Sequence, residues 1–240
     1  MKKLRILGIV TMAFLVLVIA VFAVLAAIGI FKIKTDESGK SEIIFTPAEN
    51  KNEFLKWQIS ETEGDIIAVF KTDAGKFEVK LSDSSAAEKF IELDNAGTFD
   101  EMEFSVLAEN MFIQSSLSGE SFSAEKNEYA CLNGAVGFVF EKGEAAPSIV
   151  IITAKELSGT SKAFLSESAF DEGRKTTYEK FGGVPELEEK VLVFGMVVSG
   201  SDVIEEIKNG ENSGYTGGFS ALEPVKINSV EISFPTEENG

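Results

Sequence analysis

The chain of 240 residues contains no histidine and one cysteine, Cys131. Without His it lacks the commonest general base and the commonest zinc ligand. One Cys allows neither an intrachain disulfide nor a cysteine metal cluster, so no metal or cofactor is expected. Ser–His and Cys–His nucleophilic catalysis are both excluded by inventory. Cys131 lies in EYACLNGAV among apolar neighbours, the setting of an inert buried thiol. Tryptophan and tyrosine are scarce, one and three against 20 phenylalanines. Phe fills a core without a hydrogen-bond partner, so the imbalance predicts interior packing and not a sugar- or base-stacking surface. Beyond Arg5 the only arginine is Arg174.

Acid is plentiful. The chain carries 39 Asp and Glu against 22 Lys and Arg, a net charge of −17. Three of the cations, Lys2, Lys3 and Arg5, precede Ile6, whereas every acidic residue lies beyond Phe31. Such a surface repels phosphate backbones and makes nucleic acid a poor partner. The apolar share of 44% excludes wholesale disorder, and the length holds one large domain, or one domain plus attachments.

One long apolar run exists, Ile6 to Phe31, twenty-six residues without a charge. As a helix it would reach roughly 39 Å, enough to cross a ~30 Å hydrocarbon core with tilt. A secretory signal needs only about 7–15 apolar residues, so the run is read as an uncleaved transmembrane anchor over 6–31. The basic tail 1–5 favours a cytoplasmic N-terminus, with the rest of the chain outside, although Lys32 and Lys34 weaken the asymmetry. Cell-membrane localisation, single-pass, is the expectation.

Residues 32–65 read as a linker and pre-domain segment, with a strand around Ile43-Ile44-Phe45 and helical turns over Asn52–Ile59. Beyond them, Phe77, Val79 and Leu81 alternate with Glu78 and Lys80, the period of a strand with one wet face. Ile67–Phe70 joins that strand through Thr72-Asp73-Ala74-Gly75, a hairpin signal. Ser84 or Ser85 can cap a helix over Ala86–Asn95, with Gly97 past its end. A second helix is predicted over Ser201–Asn209. Ala135–Phe140, Ser148–Ile152 and Val191–Val198 are nearly continuous apolar runs, suited to strands covered on both faces. Gly195 suggests a bulge or a close backbone approach, and a change of apolar phase around Asn228-Ser229 predicts a bend. Many curved strands and two separated helices argue for a closed β-barrel capped by helices.

Five stretches then fall in one order: TDAGKFEVKL from Thr72, Ala86–Phe99, FSVLAENMFIQ over Phe104–Gln114, Gly134–Ile152, and Tyr178–Ile207 with Gly182-Gly183, Pro185, Leu187, Val193-Phe194-Gly195 and Gly200. This pattern resembles the cyclophilin-type peptidyl-prolyl isomerases, bacterial members in particular, over 66–234, leaving 235–240 as a tail. The resemblance implies a mainly β fold, an eight-stranded antiparallel barrel with a helix over each end. It also implies an apolar proline socket beside an arginine donor.

Rotation about the peptide C–N bond costs about 18–20 kcal/mol, and X-Pro exchange takes tens of seconds or more. A catalyst must favour the twisted state, in which the prolyl nitrogen regains its lone pair; a donor aimed at that nitrogen does so. By the resemblance the arginine falls on Val106, the neighbouring histidine on Ser105, and the socket histidine on Val191. The family's tryptophan falls on Glu186. Gln114 and Leu187 are kept, Met111 and Phe112 take the socket's phenylalanine–methionine pair, and the glutamine–phenylalanine–phenylalanine triplet falls on Ile149, Val150 and Ile151. The peptide groove is thus expected to comprise Met111, Phe112, Gln114, Ile149, Ile151 and Leu187, with no intact catalytic residue.

Three readings follow. The first is a membrane-tethered, catalytically degenerate homologue that binds a proline-containing peptide or protein partner. The second is an active isomerase assisting exported proteins, and the third is a structural module of a surface assembly with a filled groove.

Overall fold

In the computed structural model of the protein, the residues described are 31–35, 41–45, 51–60 and 64–235. The apolar run therefore lies outside them, except that Phe31, expected to close the anchor, opens a strand. Among the described residues no helix is long and apolar enough to cross a membrane. Strands β1 (Phe31–Thr35) and β2 (Ser41–Phe45) pair as an antiparallel hairpin, and β2 contains the strand expected at Ile43–Phe45.

The remaining elements, in chain order, are α1 (Lys51–Ile59), β3 (Ile66–Thr72), β4 (Gly75–Leu81), α2 (Ser85–Asn95), β5 (Glu103–Ala108), β6 (Phe112–Ser115), the two-residue β7 (Phe122–Ser123), β8 (Ala135–Glu141), β9 (Glu144–Ile152), α3 (Gly159–Glu167), α4 (Glu172–Phe181), β10 (Val191–Ser199), α5 (Ser201–Lys208) and β11 (Ser220–Ser233). Short 3-10 turns occupy Pro185–Leu187 and Tyr215–Gly217. Eight of the strands close in the order β6-β5-β11-β3-β4-β10-β8-β9, and β6 pairs back onto β9. Every pairing is antiparallel. The expected eight-stranded barrel is there.

Its interior is filled with phenylalanine. Phe70, Phe77, Phe90, Phe99, Phe104, Phe138 and Phe194 are all wholly buried, and Phe90 of α2 stacks on Phe194 at 4.6 Å and on Phe99 at 5.0 Å. Contacts of this kind add about 0.5–1.5 kcal/mol beyond the area buried. The Ser84 side chain accepts from Ala87 N and starts α2, as its sequence predicts. Ile204 and Ile207 of α5 join the same interior cluster as Phe90, so both expected helices plug the barrel.

The predicted irregularities fall where the sequence puts them. Ladder register shifts between Ile227 and Ser229, and between Val193 and Gly195. A methyl group on Gly195 would sit 2.6 Å from Val79 Cγ1 and 2.8 Å from the Lys80 carbonyl oxygen, a distance only a bare backbone tolerates.

The continuous apolar runs of β9 and β10 are explained by a second layer. Interior-facing residues meet the phenylalanines, while Val150, Ile152, Val191 and Val193 face outward into a cluster with Leu132, Leu165, Tyr178 and Val184. Helices α3 and α4 supply part of that cover, and neither is announced by strong amphipathic periodicity. Helix α1 supplies more through Leu55, Phe54 and Trp57. Buried Gln58 pairs with the Ala130 backbone in both directions, donating to its carbonyl and accepting from its N–H, each at 2.8 Å. Buried Lys80 donates to the Trp57 and Ser60 carbonyls at 2.6 and 2.9 Å. It adds a charged donor at the end of the helix, where the Trp57 carbonyl also accepts from Ser60 N at 3.2 Å and Ser60 Oγ at 2.9 Å.

Candidate proline-peptide face

Residues paired across an antiparallel ladder point to the same side of the sheet. One such row crosses the outer face of the barrel: Ser220 opposite Val106, Val106 opposite Gln114, Gln114 opposite Val150, and Val150 opposite Gly137. The next row places Ala108, Phe112 and Ile152 side by side. Met111, Phe112, Val139 and Leu187 pack half-buried against the outer cluster that contains Val150, Ile152 and Val191. The structure thus brings Met111, Phe112, Gln114 and Leu187 to one face, and Val106 and Val191 with them. Past Val139, paired with Val191, the surface opens into a hollow of about 380 Å3 lined by Ser121, Glu141, Lys142, Glu144 and Ala146.

Ile149 and Ile151 are not part of this face. Both are wholly buried and belong to the interior cluster with Phe104 and Phe138. Val150 and Ile152 occupy the outward positions instead. The count along the sequence slips by one between Gly134 and this strand. There the chain makes a tight turn at Lys142-Gly143, both with positive φ. It then inserts Pro147 and Ser148 between the partners of Val139 and Phe138. Turn and bulge lengths are not fixed by the ladder, and an offset of one residue exchanges the two faces of a strand.

The bulge is tied down by serines. Ser148 Oγ donates to the Ser115 carbonyl at 2.8 Å, Ile149 N donates to Ser115 Oγ at 2.8 Å, and Gln114 Nε2 donates to Ser148 Oγ at 3.2 Å. Gln114 therefore spends a donor on neighbouring structure, while it faces the same way as Val106. Around it the face is aliphatic. Val106 and Ser105 are half-buried, and Val191 is only 3% exposed, sealed under the outer cluster. Nothing in this row carries a fixed positive charge.

Arg174 does not supply one. Its guanidinium donates twice to Glu188, Nε to Oε1 at 2.9 Å and an η nitrogen to Oε2 at 2.8 Å, and once to the Glu128 carbonyl at 3.1 Å. Tyr178 donates to the same carboxylate at 2.6 Å and accepts from Cys131 N at 2.8 Å. Burial is the largest single influence on the guanidinium and opposes its charge, yet the hydrogen bonds to Glu188 together with the charges of Glu188, Tyr178 and Glu128 hold Arg174 above its ordinary range. Burial also drives the Tyr178 hydroxyl and the Cys131 thiol well upward, so neither ionises under ordinary conditions. Glu186, at the tryptophan position, accepts from Ser161 Oγ of α3 at 3.1 Å. Its carboxylate lies at the first turn of α3, where negative charge is favoured.

Sequence reasoning missed Val150 and Ile152, for want of a marker that fixes strand parity. It also missed the Arg174–Glu188 pair; the lone arginine ahead of an acidic run was a signal without a direction.

The fold and the face together define a cyclophilin-type barrel. The sequence profile described as "Cyclophilin type peptidyl-prolyl cis-trans isomerase/CLD" matches residues 67–232, and the chain belongs to that family. Among the solved structures similar to it are two of one protein. One is a Cryptosporidium parvum cyclophilin-type peptidyl-prolyl cis-trans isomerase, 14% identical, covering 70% of this chain and 98% of its own, with a TM-score of 0.52. The other is the same parasite isomerase in the presence of the dipeptide Ala-Pro, with the same identity and coverage and a TM-score of 0.51. At that identity the likeness speaks for the fold alone. No curated protein sequence matches the chain.

Proposed function

We propose that this cyclophilin domain holds proline-containing peptides without accelerating their isomerisation, and that it does so outside the cytoplasm, tethered by residues 6–31. One observation carries the reading. In the row Ser220–Val106–Gln114–Val150, the side chain at Val106, the position to which the family resemblance assigns the arginine donor, is aliphatic. Arg174, the only arginine among the described residues, is engaged elsewhere. Removing one aimed donor costs on the order of 2.7–4 kcal/mol of transition-state stabilisation, about a hundredfold or more in rate. Ground-state binding needs only the apolar surface, and Met111, Phe112 and Leu187 retain it half-exposed. The Ala-Pro dipeptide with the parasite isomerase names the ligand class to try first.

The test is direct. Cis-to-trans exchange of a prolyl tetrapeptide is followed with and without the protein, and binding of the same peptide is measured by NMR line broadening at Met111 and Phe112. Binding without acceleration is the expected result. Turnover well above the uncatalysed rate returns the chain to the active isomerases. Absence of both binding and turnover assigns it to the structural modules.

A further inference from the structure

We propose a second binding surface, away from the proline face: a groove that takes a basic, apolar peptide segment of another protein. It lies among α1, the start of β3, the end of β4, α2 and the end of β11, with a volume of about 630 Å3. None of its lining residues belongs to the face built on Val106 and Gln114.

The floor is apolar. Trp57, Ile66 and Ile91 are half-buried in it, and Phe234 stands 62% exposed at its edge. Phe234 thus adds accessible apolar surface to the mouth of the concavity, beside the half-buried Trp57, Ile66 and Ile91. The rim is acidic, formed by Asp65, Asp83 and Glu88. Asp65 accepts from the Trp57 indole at 3.1 Å, which fixes both side chains, and it feels the charge of Lys80. Asp83 and Glu88 are exposed and have no cationic partner among the described residues, for the adjacent Lys89 pairs with Glu92 at 2.7 Å. The groove therefore presents an aromatic–aliphatic bed with two uncompensated carboxylates at its edge.

Charge complementarity selects the occupant. A segment with Lys or Arg beside a bulky apolar side chain places its cation at Asp83 and Glu88 and its apolar group against Trp57 and Phe234. An acidic or purely apolar segment satisfies only part of the surface. The chain's own last residues, Thr236 to Gly240, carry two Glu and no cation, so their charge does not complement the rim. The overall charge of −17 speeds the approach of a cationic partner.

Trp57 is the only tryptophan in the chain, and its emission reports on this groove directly. The full chain is titrated with acetyl-Lys-Phe-Lys-Leu-Lys-Phe-amide, and separately with the same peptide carrying Glu for Lys. The basic peptide is expected to shift Trp57 emission saturably, with an affinity that falls as salt rises. Asp83→Asn with Glu88→Gln should weaken binding about tenfold. Phe234→Ala should weaken it through the apolar half, and all these side chains are exposed enough to leave the thermal melt unchanged. The proposal is overturned by equal binding of the acidic peptide, by affinity indifferent to both variants, or by binding that leaves Trp57 emission untouched. A rise in affinity on removing residues 236–240 would assign the groove to the chain's own tail, and would overturn it too.

Discussion

Placing a guanidinium at Val106 is the sharpest probe of the candidate proline-peptide face. Val106 is half-buried, so an arginine there keeps its charge in contact with water and escapes the large desolvation cost of a sealed site. In the ladder it stands opposite Gln114, whose Nε2 is already given to Ser148. The Gln114 side-chain carbonyl remains to accept a guanidinium N–H and so orient the fork. A donor of this kind contributes about 2.7–4 kcal/mol in sheltered sites. On a half-open face the lower end applies, about a hundredfold in kcat/KM. Val106→Arg should therefore raise exchange of a prolyl tetrapeptide by about that factor over wild type. Val106→Met, of similar reach but without a donor, should not. The measurement is protease-coupled or NMR exchange at low temperature, with the thermal melt and peptide affinity checked for each variant. If Val106→Arg folds, binds the peptide and still fails to accelerate exchange, the missing donor is not what limits this domain. The sealed Val191 and Val150 would then be the cause.

Three further outcomes are expected. Glu188→Leu strands the buried Arg174 and should cost about 3–5 kcal/mol in urea unfolding, whereas Arg174→Met combined with Glu188→Leu should recover only part of it, because the buried Tyr178 hydroxyl also loses its acceptor; equal losses in both would refute the account of the pair. Lys80→Met removes charged hydrogen bonds to the Trp57 and Ser60 carbonyls and should cost about 1.5–3 kcal/mol, with a red shift of Trp57 emission as α1 loosens. Burial, and then the Asp100 charge, push Asp94 up to about 6. Between about pH 4 and 6 the folded state therefore keeps a proton that the unfolded state has released, and stability falls as pH rises through that window. Asp94→Asn should flatten this slope and add about 1 kcal/mol at pH 7, the half-exposed position limiting the gain.

The sequence was most readable where one periodicity governs a whole element. The β3–β4 hairpin, the capped α2, the bulge at Gly195 and the bend near Asn228 follow from alternation, a serine before an apolar helix, and glycine in a strand. The two-sided burial of β9 and β10 was legible too, but not what buries them. The cover is α3 and α4, whose polar surfaces hide any stripe, and α1, whose attachment depends on Gln58 and Lys80. Residues of that type are ordinarily solvated, so nothing local betrays their role. The candidate face was half legible. Val106, Gln114 and Phe112 share a strand pair joined by a short turn, and counting works there. Ile149 and Ile151 lie beyond a turn and a bulge, where counting gives identity without direction.

The docking of α1 also has a mechanical side. Load arriving from the N-terminal direction meets Asn52–Ile59 before it meets the barrel. That helix is fastened by an ammonium clasp at one end and a two-way amide bridge to Ala130. Tension applied there would load this latch before the strand ladder, and a fragment trimmed to begin at Ile66 would lose the latch and leave Lys80 without its acceptors.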